Sequence, residues 1–589
     1  MLYCVIMVDF VNVRISGANG DGIESAAMLL AKAIGKNKFH LFGFRSYQSV
    51  IRGGNVWFQI SISNKKPLSI GNDVDILVAL DIDAIKNNIG ALNEKGIILY
   101  DEKIPNVTEQ LKGSNLTALP LPMLDVAVKV GGTSIYRNTF VIGIIGKMLG
   151  LSKESIESTI TEVFKRKPEV VKTNIDVAMA AYDTIINSDV SRFKIIATGE
   201  RGDKYLLSGN DAVALGAVAA GCKFYAAYPM TPASSIMDWF ASHEDHGILY
   251  KQPEDEITAI NMTIGAASAG VRAMCGTSGG GFSLMVEALG LAGMLEVPIV
   301  VIESQRGGPS TGLPTKTEQG DLLFVSHASQ GEFPRVIIAP RNVEECFYEM
   351  ANAFNIAERY QCPVIVLLDL FLSEHVETVD IDPSRIVIDR GLIVTENKDG
   401  KRFKRYMITK NGISPRALPG TGGLAFVAPS DEHDEYGDLV SDTRAGTPEG
   451  KSIRIQMHEK RMRKIDTMFE ENNIPLPEVI NENAKTFFVT FGSSTNSCIE
   501  AMNILKEAGV DVGVISFSYM LPFNVDKIKQ LLENKNLIDV ECNYTAQLSK
   551  LIAMYTGILI KDKILSYDGE ALSSRDVAER AKVILKKGV

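Results

Sequence analysis

Between Gly221 and Arg335 short apolar runs alternate with small or polar residues, and the spacing of the apolar positions switches between about two and about 3.6. Residues 224–228 read as a strand ending in a Tyr-Pro turn. Thr231 and Pro232 are expected to give an N-cap and a first-turn proline to a helix over 234–242. Residues 247–252 read as the next strand and 255–269 as a helix of Ala, Ile and Met. A strand over 271–275 follows, then the break Thr277-Ser278-Gly279-Gly280-Gly281, a helix over 282–295 and a strand over 298–303. Strands over 334–339 and 363–368, flanking a helix over 343–360, finish this sheet. Strand, helix and strand in repeated alternation predict a doubly wound parallel sheet, in which ligands gather at the C-terminal ends of the strands.

The same alternation recurs on both sides. A strand over 12–16, a turn over 17–22, a helix over 23–34, strands over 56–62 and 75–80 and a helical stretch over 136–182 predict an α/β domain at 1–190. Residues 191–205 read as a linker and 206–380 as the central domain. Over 381–480 the periodicity fades into an irregular connector, with the acidic run Asp431-Glu432-His433-Asp434-Glu435 read as a solvated loop or subunit contact and a basic stretch after it. A strand over 486–491, a helix over 496–508 and a strand over 510–515 open a further α/β domain at 481–589. A chain of 589 residues is long enough for several cores.

Charge and cysteine usage narrow the function. The net charge is −10, which gives no footprint for nucleic acid, and an acidic small substrate has to be met by a local cation. No apolar run has the roughly 20 residues of a membrane helix, and the start of the chain carries no basic leader, so no membrane is expected and the cytoplasm is. The seven cysteines are scattered without a C-x-x-C pair, so they read as reduced core residues and no iron-sulfur ligand set is expected on this chain. The turn at Gly17 to Gly22 lacks the G-x-G-x-x-G spacing of a dinucleotide cradle. Gly20-Asp21-Gly22 also lacks a nearby Asn-Asn pair, since Asn87-Asn88 is too distant and sits in another unit.

Four polar residues stand at predicted strand ends: Thr231, Glu256, Arg306 and Thr315. Arg306 is followed by two glycines, which let its guanidinium fork approach a carboxylate closely. Glu256 heads an uncharged run, ITAINMTI, and a carboxyl group buried there needs a partner that shares a proton.

The motifs YPMTP, QPEDEI, TSGGGFSLM, QRGGPSTGLPT and TEQGDL resemble those of the α subunit of the 2-oxoacid:ferredoxin oxidoreductases, and the resemblance covers nearly the whole chain. It implies several α/β domains: a γ-like domain with FRxY and IRGG motifs (Arg45, Arg52, Gly53, Gly54), a pyrimidine-side thiamine diphosphate domain and a transketolase C-terminal-like domain. The implied activity is oxidative decarboxylation of a 2-oxoacid with coenzyme A to acyl-CoA and carbon dioxide. In that pattern Glu256 holds N1′ of the cofactor's aminopyrimidine, with Tyr228 and Pro229 beside it. Thr231 and Arg306 hold the 2-oxoacid, and Thr315 lies near it. The resemblance further implies a separate β subunit carrying the diphosphate site, Mg2+ and a [4Fe-4S] cluster, ferredoxin as acceptor, and an αβ or (αβ)2 assembly. Lys316, next to Thr315, is a candidate reader of a second carboxylate, which favours 2-oxoglutarate or a broad range that includes it over a pyruvate-specific enzyme. Gly280 stands where the family pattern has proline, and Ala18 and Asn19 where it is richer in glycine. The alternatives are a dinucleotide-dependent dehydrogenase and an assembly subunit that has kept the fold without the chemistry.

Overall fold

The computed structural model describes residues 10–48, 53–71, 73–184, 193, 205–397 and 400–587. Cys4, Arg52 and most of the expected linker at 191–205 lie outside the described residues. The chain forms two units, Met1–Ser208 with Glu374–Ile381, and Gly209–Ser373 with Asp382–Val589.

In the first unit, Val11, Val13 and Ile15 alternate with polar residues along the strand Phe10–Asn19 and pack under the helix Ile23–Lys36, whose Ala26, Ala27, Leu30 and Ile34 are buried. That strand lies inside an eight-stranded mixed sheet, parallel to Val74–Ala79 and antiparallel to Gly53–Ser63. Two short strands, Tyr205–Ser208 and Val376–Val379, also join this sheet, through Val376 opposite both Gly43 and Ser208. The first and last residues of the expected 206–380 domain, up to Ser208 and from Glu374 on, thus fall with the first unit. Each strand is only four residues long, too short to show a period in the sequence. Asn88 is buried as a structural link, accepting from Arg14 Nη1 (3.0 Å) and donating to Ser16 Oγ (3.1 Å). Arg45 and Tyr47 of the FRxY motif both hold Glu374, at 3.4 and 2.8 Å.

In the second unit six parallel strands run in the order Val336–Ile338, Val364–Asp369, Val300–Gln305, Arg272–Thr277, Cys222–Ala226, Leu249–Lys251. The central four are buried almost throughout, as strands covered on both faces are, with their polar residues mostly at the C-terminal ends. From Cys222–Ala226 the next strand in sequence lies to one side and the one after it to the other, which makes this the switch point where a crevice opens. The helices Ser234–Ser242 and Val343–Tyr360 match the sequence reading. Thr231 is not an N-cap: the helix begins at Ser234 without a side-chain cap, because Thr231 lies in the preceding turn, where Ser234 N donates to Met230 O. The helix expected over 282–295 starts earlier and spans Gly279–Leu295. A five-stranded sheet built around Thr486–Phe491 forms the C-terminal part, and its Phe487 and Phe517 share one apolar core with Ile337 and Ile365.

The stretch 381–480 is more ordered than its sequence suggests, since it contains the helices Pro448–Met462 and Lys464–Glu470. Their inward face is charged, so no apolar period marks them. Lys460 and Lys464 are fully buried and donate to the buried Glu296, at 2.5 and 2.6 Å. Burial takes Lys460 down to about 7, against the pull of Glu296, while the two lysines hold the Glu296 carboxyl well below its usual range against its own burial. The acidic run is not a solvated loop. Glu432 pairs with Arg461 and Arg454, Asp434 with Arg444 and Glu435 with Lys404, and His433 is buried against Tyr406.

Candidate functional site

Asp255 accepts from Thr258 N at 2.8 Å and caps the helix Glu256–Ser268, which places Glu256 at the first helical position after the edge strand Leu249–Lys251. The residue is only 3 % exposed, and its carboxyl group meets the strand end of Arg272–Thr277, where Thr277 Oγ1 donates to Glu256 Oε1 over 3.4 Å. No cation pairs with Glu256 among the described residues. Gly281, one turn into the next helix, makes room for this contact. A Cβ there would lie 2.1 Å from Thr277 Oγ1 and 2.4 Å from Glu256 Oε1. Beside them the buried Ser278 hydroxyl has no partner among the described residues.

The loop after Cys222–Ala226 closes the other side. Tyr228 and Pro229 are exposed on it, and Met230 Sδ lies 4.0 Å from Thr277 Oγ1. Arg306, at the end of Val300–Gln305, donates from Nη1 to the carbonyl of Thr231 at 2.7 Å. Thr231 thus meets Arg306 through its backbone rather than its hydroxyl. The loop beyond Arg306 folds back on itself, with Gly307 N donating to Lys316 O (3.0 Å) and Leu313 N to Gly307 O (2.7 Å). Thr315 is half-buried in this turn. Lys316 is half-buried as well, and its ammonium pairs with Glu570 of the C-terminal part. Glu256, Thr231, Arg306, Thr315 and Lys316 therefore belong to one cluster of strand-end loops.

Two carboxylic acids missed in the sequence lie beneath Arg306. Glu303 is the register partner of Thr277 on the neighbouring strand and is fully buried. Burial first, and then the neighbouring Asp321 and Asp369, push its carboxyl well up. Burial lifts Asp321 to about 6, with Glu303 and the Arg306 charge pulling the other way. Sequence gave one signal for them, acidic residues at the end of an apolar strand and at a loop end, but nothing in the spacing of Glu303 and Asp321 brings the two together. Chemically the cluster offers a buried carboxyl group beside an unpartnered hydroxyl and a guanidinium at the neighbouring strand end, which suit a polar heterocycle and a carboxylate respectively.

Residues 215–447 match the family described as "Pyruvate flavodoxin/ferredoxin oxidoreductase, thiamine diP-bdg". Residues 12–184 match "Pyruvate ferredoxin/flavodoxin oxidoreductase" and 484–571 match "Pyruvate:ferredoxin oxidoreductase core domain II". The chain is 32 % identical to the 2-oxoacid:ferredoxin oxidoreductase subunit alpha of Saccharolobus solfataricus, over 98 % of each chain. It is 31 % identical to the 2-oxoglutarate oxidoreductase subunit KorA of Mycobacterium tuberculosis, over 90 % of this chain and 88 % of that one. Among solved structures, the 2-oxoglutarate:ferredoxin oxidoreductase from Magnetococcus marinus, with 2-oxoglutarate, coenzyme A and succinyl-CoA bound, superposes with a TM-score of 0.86 at 29 % identity, over 98 % of this chain and 99 % of that one.

Proposed function

The chain belongs to the 2-oxoacid:ferredoxin oxidoreductase family, as an α subunit with a γ-like domain fused ahead of it, and we propose that its switch-point cluster is one half of a thiamine diphosphate site acting on 2-oxoglutarate or a range of 2-oxoacids that includes it. The observation that carries this reading is Glu256, buried without a cation among the described residues, packed with Thr277 against the backbone of Gly281 and next to the unpartnered Ser278 hydroxyl. A neutral aminopyrimidine ring that shares a proton fits such a carboxyl group, and a cation does not need to. Thiamine diphosphate, when bound, supplies the electron sink for loss of carbon dioxide.

Glu256, whose Oε1 accepts from Thr277, would hold the aminopyrimidine ring and could share a proton with it when the cofactor is bound. Tyr228 and Pro229, exposed on the loop after Cys222–Ala226, would lie beside that ring. Arg306, fixed by the Thr231 carbonyl, binds the substrate carboxylate, and the Thr231 hydroxyl and Thr315 complete the polar contacts around the 2-oxo group. Coenzyme A takes the acyl group, carbon dioxide leaves, and the electrons pass to ferredoxin.

We assign the diphosphate anchor, Mg2+ and the [4Fe-4S] cluster to a β subunit in an αβ or (αβ)2 assembly. In support, all six described cysteines are buried, with burial pushing the thiols of Cys222, Cys275, Cys362 and Cys498 up to about 12, far from the thiolates that ligate a cluster. No helix among the described residues is long and apolar enough to cross a membrane. Placement in the cytoplasm belongs to the same proposal.

Lys316 is the candidate for the distal carboxylate. A partly exposed Lys–Glu pair is weak, so a substrate carboxylate can compete with Glu570 for it. Lys316→Ala is expected to lower kcat/KM for 2-oxoglutarate about tenfold, the lower end of what a hydrogen bond to a charged group is worth, and to leave pyruvate within about twofold. Arg306→Ala in the same assay should weaken both substrates, because both carry the proximal carboxylate. Equal losses for the two substrates in Lys316→Ala would reduce Lys316 to a support of the loop.

A further inference from the structure

Arg306 leaves its strand on a loop that contains Gly307, Gly308 and Gly312, and these glycines leave the backbone next to Arg306 to be fixed largely by outside contacts. A guanidinium that has to read a carboxylate needs its backbone held to a fraction of an ångström. The outgoing end is held by the strand Val300–Gln305. The returning end is held by the C-terminal sheet domain, through buried bonds aimed at a few backbone atoms.

Gln319 is the centre of that network and is 1 % exposed. Its backbone N donates to Cys542 O at 2.6 Å and its Nε2 to Phe491 O at 3.2 Å, while its Oε1 accepts from Ser494 Oγ at 2.8 Å and Cys542 N at 3.2 Å. Asn543, equally buried, donates from Nδ2 to Gln319 O at 3.0 Å and to Glu541 Oε2 at 2.6 Å. Glu541 Oε1 in turn accepts from Leu548 N and Ser549 N, which fixes the first turn of the helix Gln547–Thr556. Gln547, at the head of that helix, donates to Gly320 O at 2.5 Å and accepts from Leu323 N at 2.8 Å. Thr317 N donates to Gly569 O at 3.2 Å, one residue from Lys316, whose carbonyl holds Gly307 N. The apolar core already joins the two sheets, so these directional bonds set the pose of the loop rather than hold the domains together.

We infer that Gln319, Asn543 and Gln547 are positioning residues, through which the C-terminal domain sets the geometry of the Arg306 loop and so the affinity for the 2-oxoacid carboxylate. The inference rests on the proposed function for the identity of the ligand, and on the hydrogen bonds alone for the clamp.

The test uses the full chain with its β partner. Gln547 is only half-buried, so Gln547→Ala should fold, and Gln547→Glu keeps the acceptor for Leu323 N while losing the donor to Gly320 O. Asn543→Ala is the stronger variant. Amide hydrogen exchange at Gly307, Leu313 and Lys316 is expected to quicken about tenfold in Gln547→Ala and Asn543→Ala, with Gln547→Glu intermediate. KM for 2-oxoglutarate should rise about tenfold with kcat within about threefold, and the thiamine diphosphate Kd of the complex should stay within about twofold. A lower melting temperature with unchanged loop exchange and unchanged KM would overturn the inference, and so would an equal loss of cofactor affinity. If the wild-type complex turns over no 2-oxoacid, the proposed function fails, and the exchange measurement decides the clamp by itself.

Discussion

Glu256→Gln is expected to lower turnover by a factor of about 10² to 10⁴, the usual worth of a positioned acid or base, while leaving fold and assembly unchanged. The amide is almost the same size as the acid and can still meet the Thr277 hydroxyl 3.4 Å away, so packing at this 3 % exposed position is preserved. What it loses is the proton that a carboxyl group shares with a ring nitrogen. Melting temperature and gel filtration with the β partner measure the unchanged part, and steady-state ferredoxin reduction measures the loss. More than about a tenth of the wild-type rate in a correctly assembled complex would show that Glu256 is not the acid.

Gly281→Ala should be nearly as damaging, for a steric reason. Gly281 sits inside a regular helix, so alanine suits its backbone, but the added carbon would lie 2.1 Å from Thr277 Oγ1 and 2.4 Å from Glu256 Oε1. Both neighbours are buried, so the carboxyl group has to swing away from Thr277. Overpacking of this kind costs about 1–3 kcal/mol of stability. The displaced acid should lower turnover about a hundredfold, close to the effect of losing it. Gly280→Ala is the internal control. Nothing lies within 4 Å of a Cβ there, and alanine in place of glycine in a helix should stabilise by roughly 0.5–1 kcal/mol. Similar activities for the two alanine variants would contradict the role given to the Gly281 contact with Glu256.

The regular elements of the second unit were legible because their periods are clean. Helices Ser234–Ser242 and Val343–Tyr360 and strand Thr486–Phe491 match their predicted bounds, since each pairs an apolar face or a continuous apolar run with a sharp polar stop. The helix Pro448–Met462 was not legible, because Lys460 and Arg461 point inward to carboxylates and the buried face carries charge. Glu256 and Arg306 could be found as isolated polar residues at strand ends and through the motifs that surround them. Thr231 was found for its hydroxyl, whereas what the structure displays is its carbonyl under Arg306. Gln319 lies within the TEQGDL motif, but the bonds that join its loop to the C-terminal part, such as Gln319 to Phe491, Asn543 to Gln319 and Gln547 to Gly320, span 172 to 227 residues, and no local spacing encodes such pairs.

On the proposed function, this chain contributes half of a shared cofactor site: the proton-sharing acid and the carboxylate reader, with the diphosphate anchor on the β partner. Titration of thiamine diphosphate with Mg2+ into the chain alone, the β partner alone and their complex tests it most directly. The account predicts stoichiometric, saturable binding in the complex and none that saturates in the same concentration range for the chain alone. Stoichiometric binding to the chain alone would contradict it.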